Sequence, residues 1–342
     1  MAYAKEVLHR AEARLDEARR QNDLDCDRRI SAIYEKLPRL REIDRELRKT
    51  SAKVYAAAFR GSESPEQAMQ TLRQENLSLQ RERDWILESE NIDPEDLERE
   101  PVCKLCGGSG WRGAAMCECL RELCRQEQKK ALMQAFGAGK ESFEKFRLDV
   151  YPDRIDPKLG ISPRALMKRV YESAVSYTKT FSEGSDSLLF MGATGLGKTF
   201  LSGCIARAVA DKGYAVCYVS AGKLFSDFET EKFRLKEDGA LTGEYMETDL
   251  LIIDDLGTEM TTQFTVSALY QVVNGRLLSG RPTIVSTNLP DSELEARYSA
   301  QIASRLLGAY TLYQFCGTDV RLLKKMENRG RLQIMRRGRC PH

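Results

Sequence analysis

The sequence predicts an α/β fold: a parallel β-sheet with helices on both faces, preceded by a helical N-terminal region and a small cysteine-rich module. In the second half of the chain, short apolar runs alternate with helical patterns and predict strands at residues 187–191, 215–219, 250–253, 283–285 and 312–315. This alternation is typical of parallel sheets, because each parallel connection crosses a face of the sheet, usually as a helix. Helical periodicity and then clustered cysteines mark the two regions upstream.

The composition limits the class of protein. With 342 residues and 42% hydrophobic content, the chain is long enough for two or three domains with a real core. Its net charge of +2 restricts any nucleic-acid surface to a local patch. No apolar run approaches the length of a membrane span, and the N-terminal stretch is charged from the fifth residue. We therefore expect a cytoplasmic protein with neither a signal peptide nor a membrane segment.

A glycine-rich loop follows the first predicted strand of the sheet. It reads GATGLGKT from Gly192 to Thr199, and a helical pattern follows it. Glycines allow the backbone to curl around a polyphosphate with its N–H groups pointing inward, at the positive end of the helix. Lys198 would reach the β- and γ-phosphates and the Thr199 hydroxyl would ligate Mg²⁺. The alternative is a glycine-rich turn with a chance lysine. We predict a nucleotide site formed by Gly192, Thr194, Gly195, Gly197, Lys198 and Thr199.

Two carboxylates end the third predicted strand. The run DLLIIDD places Asp254 and Asp255 at the carboxyl edge of a parallel sheet, where ligands collect. Asp254 would hold magnesium through its water shell, and Asp255 would orient or deprotonate the attacking water. A strand followed by an acidic turn is common by itself. The number of residues between Lys198 and this pair, and the Leu256-Gly257 that follows it, favour the catalytic interpretation.

Three further polar residues are candidates for the same site. Asn288 follows the predicted strand at 283–285, which is the next strand along the chain after the one that ends in Asp255. It could hold the attacking water near the γ-phosphate. Arg305 and Arg321 are candidate phosphate sensors, although arginines on helices are usually surface charges.

Five cysteines lie between Cys103 and Cys124. Cys103 and Cys106 form one pair and Cys117 and Cys119 another, separated by a glycine-rich turn. Two such pairs can converge as four thiolates on a tetrahedral zinc ion in a structural site that supplies folding energy. The second pair is CxC, tighter than the common CxxC, and Cys124 could compete as a ligand. Unligated reduced cysteines are the alternative.

Apolar residues recur at helical spacing from residue 2 to about residue 90. Ser64 and Pro65 are typical of a helix start, as an N-cap and a first-turn proline. Periodicity does not distinguish a structural bundle from a partner-binding module, so both remain open.

Several stretches together resemble a known family. GATGLGKTFLS, DLLIIDDLGTE, IVSTNL, IASRLLG and GTDVR, in this order and spacing, resemble the AAA+ ATPases of the DnaC/DnaI helicase-loader group, of which IstB transposition helpers are close relatives. The resemblance covers residues 143–325. CKLCGGSGW with CECL resembles the zinc module that precedes the ATPase in DnaI-type and phage loaders.

The resemblance implies an AAA+ P-loop fold and a role for each candidate. Lys198 and Thr199 would be Walker A, Asp254 and Asp255 Walker B, Asn288 sensor I, Arg305 a finger acting on a neighbour's ATP, and Arg321 sensor II. Two features depart from the family pattern. Many members have Glu at the position of Asp255, so hydrolysis is expected to be slow. Little chain follows Arg321, so the usual helical lid would be reduced to one helix.

The family also implies binding of single-stranded DNA between the second and third strands. Residues 223–245 interleave aromatic and basic side chains, which suits base stacking with phosphate contact. The residues are Phe225, Phe228, Lys232, Phe233, Arg234 and Lys236. The alternative is an amphipathic helix whose phenylalanines face the core. A basic tail is a second candidate, although such tails are often only solvated; it contains Lys324, Lys325, Arg329, Arg331, Arg336, Arg337 and Arg339.

These observations predict four regions: a helical partner-binding region at 1–99, a zinc-binding module at 100–124, a helical linker at 125–160 and an AAA+ ATPase domain at 161–342. The resemblance implies an ATP-dependent loader that places a ring-shaped replicative helicase hexamer on single-stranded DNA, self-associates into an oligomer or spiral, and uses ATP, Mg²⁺ and Zn²⁺. An IstB-like transposition helper and a non-hydrolysing ATP-bound DNA-binding adaptor are the alternatives. A P-loop small-molecule kinase is disfavoured, because the strand end at Thr287-Asn288 and the helix that carries Ser304-Arg305 suit assembly into a ring or spiral.

Overall fold

The computed structural model describes residues 3–59, 65–136, 141–157, 159–233 and 240–322. Arg234, Lys236 and the basic tail lie outside the described residues, as does the side chain of Phe233. The chain divides into two compact units, one made of Met1–Ala11 with Arg121–His342 and the other of Glu12–Leu120. None of the described helices is both long and apolar enough to cross a bilayer.

The first part of the chain is helical, as predicted. Helices α1 (Lys5–Lys36), α2 (Pro38–Phe59) and α3 (Pro65–Ser89) follow one another. Pairing between α2 and α3 buries Leu40, Ile43, Ile86 and Leu87 in a common cluster. The Arg83 guanidinium donates to the Asp44 carboxylate at 2.8 Å beside this cluster. Helix α3 begins at Pro65, which agrees with the predicted start, and Ser64 lies outside the described residues.

A short antiparallel hairpin and a helix follow. Strands β1 (Trp111–Arg112) and β2 (Ala115–Met116) pair with each other, and helix α4 spans Glu118–Ala135. Residues 125–160, predicted as a linker, belong to the same compact unit as the sheet domain.

The rest of the described chain forms a five-stranded parallel sheet. Its strands are β3 (Leu188–Met191), β4 (Val216–Ser220), β5 (Leu250–Leu256), β6 (Thr283–Thr287) and β7 (Thr311–Gln314). They lie in the order β4-β5-β6-β3-β7 with every pair parallel. The helices are α5 (Pro163–Thr180), α6 (Lys198–Asp211), α7 (Ala221–Phe233), α8 (Ala240–Glu247), α9 (Gln263–Leu278), α10 (Asp291–Tyr298) and α11 (Ala300–Ala309). The predicted fold class and all five predicted strands are confirmed.

The central strands of the sheet are buried on both faces, which explains the uninterrupted hydrophobic runs of β3 and of the first half of β5. In β5, Leu250 and Ile252 pack into one core cluster, while Leu251 and Ile253 pack into the other. Successive side chains of a strand point to opposite faces, so a run without alternation buries both.

Beyond β7, residues 320–322 are helical, and the chain after Leu322 lies outside the described residues. The reduced lid therefore stays a prediction.

Candidate nucleotide site and cysteine cluster

The loop after β3 is built on glycines that no other residue would replace. Gly192 has φ +148°, and a Cβ there would lie 2.5 Å from the carbonyl oxygen of Phe315. Gly195 has φ +83°, and a Cβ there would lie 2.2 Å from the carboxyl group of Asp319. Both positions therefore combine a conformation that favours glycine with a close approach of a neighbouring segment. Helix α6 begins at Lys198 directly after this loop, so its free N–H groups face the loop.

The side chain of Lys198 contacts the start of the loop. Its Nζ donates to the carbonyl oxygens of Gly192 at 2.6 Å and Ala193 at 2.9 Å, and only 5% of the residue is exposed. Burial lowers the pKa of this ammonium group, whereas the charges of Asp255 and Asp254 act in the opposite direction. A polyphosphate in the loop would compensate the buried cation better than two neutral carbonyls.

The predicted pair of carboxylates lies at the end of β5, and its two members differ. Asp254 is buried, with 2% exposed, and both of its oxygens accept hydrogen bonds. The Tyr218 hydroxyl on β4 donates to one at 2.7 Å, and the Ser286 hydroxyl on β6 donates to the other. Sequence reasoning missed both donors, because their distance from Asp254 depends on strand pairing. Burial and the charge of Asp254 raise the pKa of Tyr218.

Asp255 points into a cavity because the strand is irregular at this position. The register between β5 and β6 shifts between Ile253 and Leu256, and Asp255 has φ +56°. Such irregularities re-aim a side chain next to an active site. Desolvation and the charge of Asp254 raise the pKa of Asp255, while Lys198 and Arg321 act to lower it. A carboxylate with a raised pKa is a better general base than a solvated one.

The loop, Asp255 and Arg321 line a common cavity of about 350 Å³. Its wall includes Thr194, Gly195, Gly197, Lys198, Thr199, Asp255, Val320 and Arg321. Other lining residues come from the predicted linker and the start of α6, and include Phe136, Glu141, Phe146, Val150, Tyr151 and Phe200. Sequence reasoning did not assign this aromatic wall to the site, although the aromatic residues of the predicted linker are a signal for it. Aromatic and apolar side chains next to convergent polar groups are typical of a nucleotide pocket.

The residues present fit ATP with magnesium. The loop provides N–H groups and a buried lysine for phosphates. The hydroxyl of Thr199 is a hard oxygen ligand of the kind that Mg²⁺ prefers, and the carboxylate of Asp254 can accept from metal-bound water. Arg321 lies at the cavity, and its backbone N–H donates to the Asp319 carboxylate at 2.8 Å. Asn288 is exposed after β6 and does not line the cavity. Its predicted role as a sensor stays a prediction.

Arg305 lies on α11 and does not line the cavity of its own chain. Its Nε donates to Asn274 at 2.8 Å and its Nη2 to the Tyr270 hydroxyl at 3.0 Å. The guanidinium also lies 4.7 Å from the centre of the Tyr270 ring. Two residues of α9 therefore fix this cation, and its predicted role as a finger acting in trans stays a prediction.

Two of the three phenylalanines predicted to stack on DNA bases are in the core. Phe225 is 4% exposed and Phe228 is 7% exposed, and both pack in the cluster that covers one face of the sheet. The stacking role is therefore wrong for these two residues, and the alternative of an amphipathic helix is confirmed. Lys223 pairs with Asp227, and Lys232 lies 5.0 Å from the centre of the Phe264 ring.

The four predicted cysteine ligands converge. The sulfur atoms of Cys103, Cys106, Cys117 and Cys119 all lie within 4.8 Å of one another. Cys124, considered above as a competing ligand, is buried and is not part of this group. Although burial acts to raise it, the N–H of Gly110 and the neighbouring thiols lower the pKa of Cys106 to about 6. Four sulfur ligands at such distances suit a structural zinc ion, which binds thiolates tetrahedrally.

We expect purified protein to contain about one zinc ion per chain, because all four ligands are already assembled. Cys106→Ser should release the metal and destabilise its surroundings, since a small site has little core to replace the metal–ligand energy. Cys124→Ser is the matched control and should retain zinc. Elemental analysis of protein purified without chelator measures both, and a metal-free wild type would contradict the assignment.

The strand, glycine loop, helix and acidic strand end define a P-loop nucleotide-binding domain. Residues 166–311 match the family described as IstB-like ATP binding protein. The replicative helicase loader DnaC of Escherichia coli (strain K12) is 25% identical over 135 residues, which cover 39% of this chain and 55% of the relative. An ATP-binding protein of an insertion sequence from Mycobacterium tuberculosis is 26% identical over 106 residues, 31% of this chain and 42% of the relative. This segment is thus similar to IstB-like ATP-binding proteins and to DnaC-type helicase loaders.

The chain spans about half the length of the curated DnaC relatives that it matches. Among solved structures, the crystal structure of the DnaC helicase loader has a TM-score of 0.44 at 18% identity and covers 52% of this chain and 98% of that chain. The crystal structure of DnaI has a TM-score of 0.42 at 18% identity, with coverages of 55% and 92%.

Replacing the loop lysine tests the nucleotide site. We expect Lys198→Ala to reduce ATP affinity by about 10–150-fold, because it removes a charge-assisted contact of about 1.5–3 kcal/mol with phosphate. Lys212→Ala, just beyond the other end of α6, is the control and should bind ATP normally. Titration with a fluorescent ATP analogue measures the affinity, and circular dichroism checks the fold. Equal affinity in both variants would contradict the assignment of the loop.

Proposed function

We propose that this protein is an ATP-dependent loader that places a ring-shaped replicative helicase on single-stranded DNA. One observation carries the proposal: a cavity whose residues fit ATP lies in a segment whose curated relatives include proteins named replicative helicase loader. The loader interpretation also fits the cysteine cluster upstream, since the sequence there resembles the zinc module of DnaI-type loaders.

ATP hydrolysis is the switch in this proposal. Asp255 takes a proton from the attacking water, and Lys198 balances charge on the transferred phosphoryl group. Magnesium, held by Thr199 and through water by Asp254, would neutralise phosphate charge when bound. Arg305 of one chain completes the site of its neighbour, so the active unit is an oligomer. Arg321 contacts phosphate from within the chain.

The helical region before the ATPase is the part that holds the helicase. Its surface carries apolar side chains that the unit itself does not cover: Trp85 is 68% exposed, and Leu77 lies two turns earlier on the same face of α3. Exposed apolar side chains at helical spacing are typical of a surface for a partner protein.

Purification of the tagged full-length chain from its native cells, followed by identification of bound proteins, tests the proposal. We expect a hexameric replicative helicase, with Trp85→Ala reducing its recovery and Leu322→Ala, an exposed residue outside this region, leaving it unchanged. Recovery without any helicase would contradict the loader.

The IstB-like match and the insertion-sequence relative favour a second function, that of a transposition helper acting on duplex DNA. Measuring ATPase turnover with single-stranded and duplex DNA separates the two. Stimulation by single strands supports the loader and stimulation by duplex supports the helper. An ATP-bound chain without turnover in either condition would point to the non-hydrolysing adaptor.

A further inference from the structure

The carboxylate of Asp254 is fixed by two hydroxyl groups on the two strands that flank β5. Tyr218 and Ser286 each donate to a different oxygen. An ionised carboxylate has about four acceptor positions, so two remain for donors from a ligand. The side chain is therefore held in one orientation and still has acceptor capacity.

The Tyr218 side chain is itself held in place. The centre of its ring lies 4.1 Å from that of Phe136, at an interplanar angle of 51°. Phe136 directly follows α4 and lines the nucleotide cavity. Contact between two aromatic rings restricts rotation of the phenol and so aims its hydroxyl at Asp254.

Helix α4 is attached to the same strand that carries Tyr218. Gln128 of α4 is buried, and its Nε2 donates to the carbonyl oxygen of Tyr214 at 2.9 Å. Its Oε1 accepts from the N–H of Val216 at 3.0 Å. Since β4 is the edge strand of the sheet, these bonds satisfy backbone groups that lack a neighbouring strand. Two contacts therefore fix the position of Phe136 relative to Tyr218: the contact between their rings and the hydrogen bonds of Gln128 to the backbone at Tyr214 and Val216.

We propose that Tyr218 is a positioning residue of the magnesium site, which orients Asp254 toward metal-bound water, and that Phe136 keeps the phenol in that position. The proposal rests on the ATP site of the proposed function. A carboxylate that must find its orientation anew in each binding event holds a metal less tightly, and loss of such a supporting hydrogen bond typically costs about 10–100-fold in metal affinity.

Tyr218→Phe removes the donor and keeps the ring against Phe136. Affinity for a non-hydrolysable fluorescent ATP analogue is measured in the full-length chain, with chelator and over a range of Mg²⁺ concentrations. We expect unchanged affinity in chelator and a half-saturating Mg²⁺ concentration raised by about 10–100-fold. Tyr214→Phe is the matched control. Its hydroxyl donates to the carbonyl oxygen of Phe181, away from Asp254, so its magnesium response should equal that of the wild type.

A second variant, Phe136→Leu, keeps an apolar side chain but loses the aromatic contact, and should raise the magnesium requirement less than Tyr218→Phe does. If Tyr218→Phe fails to fold, the magnesium requirement of Phe136→Leu tests the proposal in its place. An unchanged magnesium requirement in the folded variants would overturn the proposal. A lower requirement would overturn it too, since Tyr218 would then compete with the metal. A wild type that binds nucleotide in chelator but does not respond to magnesium would overturn this role alone, whereas a wild type that binds no nucleotide would overturn the proposed function as well.

Discussion

Asp255→Asn is expected to retain ATP and to reduce turnover by about 10²–10⁴-fold, the usual contribution of a general base. The amide keeps the shape of the side chain but cannot accept the proton of the attacking water. The fold should be kept as well, because Asn tolerates the left-handed conformation of Asp255, with φ +56°, at least as well as Asp. Release of inorganic phosphate and binding of an ATP analogue, measured on one preparation, give the two quantities.

Asp291→Asn is the matched control for this substitution, since Asp291 is exposed in the first turn of α10 and does not line the cavity. It should turn over ATP at the wild-type rate. Wild-type turnover in Asp255→Asn would place the base elsewhere. Loss of ATP binding in Asp255→Asn would instead mean that the residue contributes to the nucleotide site itself.

The raised pKa of Asp255 adds a dependence on pH. Protonated Asp255 cannot act as a base, so turnover should fall when the pH drops below the pKa of Asp255. Because this pKa is raised, the fall should begin at a higher pH than it would with a solvated carboxyl group as the base. The folded state binds this proton more readily than the unfolded state, so ionised Asp255 destabilises the fold. Asp255→Asn should therefore raise the free energy of unfolding at neutral pH. The difference in free energy between variant and wild type should vanish below the pKa of an Asp carboxyl group in the unfolded chain, about 3.9.

The sheet and the loop were predictable because their signals are local. Strand β3 and the first four residues of β5 are continuous apolar runs that are buried on both faces. The motif GxxxxGKT places strand, loop and helix next to one another in the sequence. The positions of Lys198 and Asp255 at one cavity follow from that pattern together with the rule that the carboxyl ends of parallel strands share an edge.

Other parts of the site depend on contacts that leave no periodic signal. Tyr218 and Asp254 are 36 residues apart, and only strand pairing brings the hydroxyl to the carboxylate. Phe225 and Phe228 have the same helical spacing whether they face DNA or the core. Burial alone separates these interpretations, because a side chain packed on the sheet cannot stack on a base.

The anchoring of Arg305 gives the basis for the second large effect. Asn274 and Tyr270 of α9 accept hydrogen bonds from the guanidinium, which does not line the cavity of its own chain. An arginine finger at a neighbour's γ-phosphate is worth about 10³–10⁵ in rate. We expect Arg305→Ala to lose turnover by about that factor while it still binds ATP. Tyr270→Phe removes one hydrogen bond but keeps the ring under the guanidinium, and should retain most of the activity.

Mixing two inactive variants then separates a role in trans from a structural one. Arg305→Ala keeps an intact loop and Lys198→Ala keeps an intact arginine, so a mixed assembly contains some complete sites. Turnover should reappear on mixing and rise with protein concentration, because it requires association. If assemblies shown to contain both chains stay inactive, or if Arg305→Ala alone hydrolyses ATP normally, then Arg305 only packs α11 against α9. In that case the charge that completes the ATP site must come from a residue of the same chain, and Arg321 at the cavity is the first candidate.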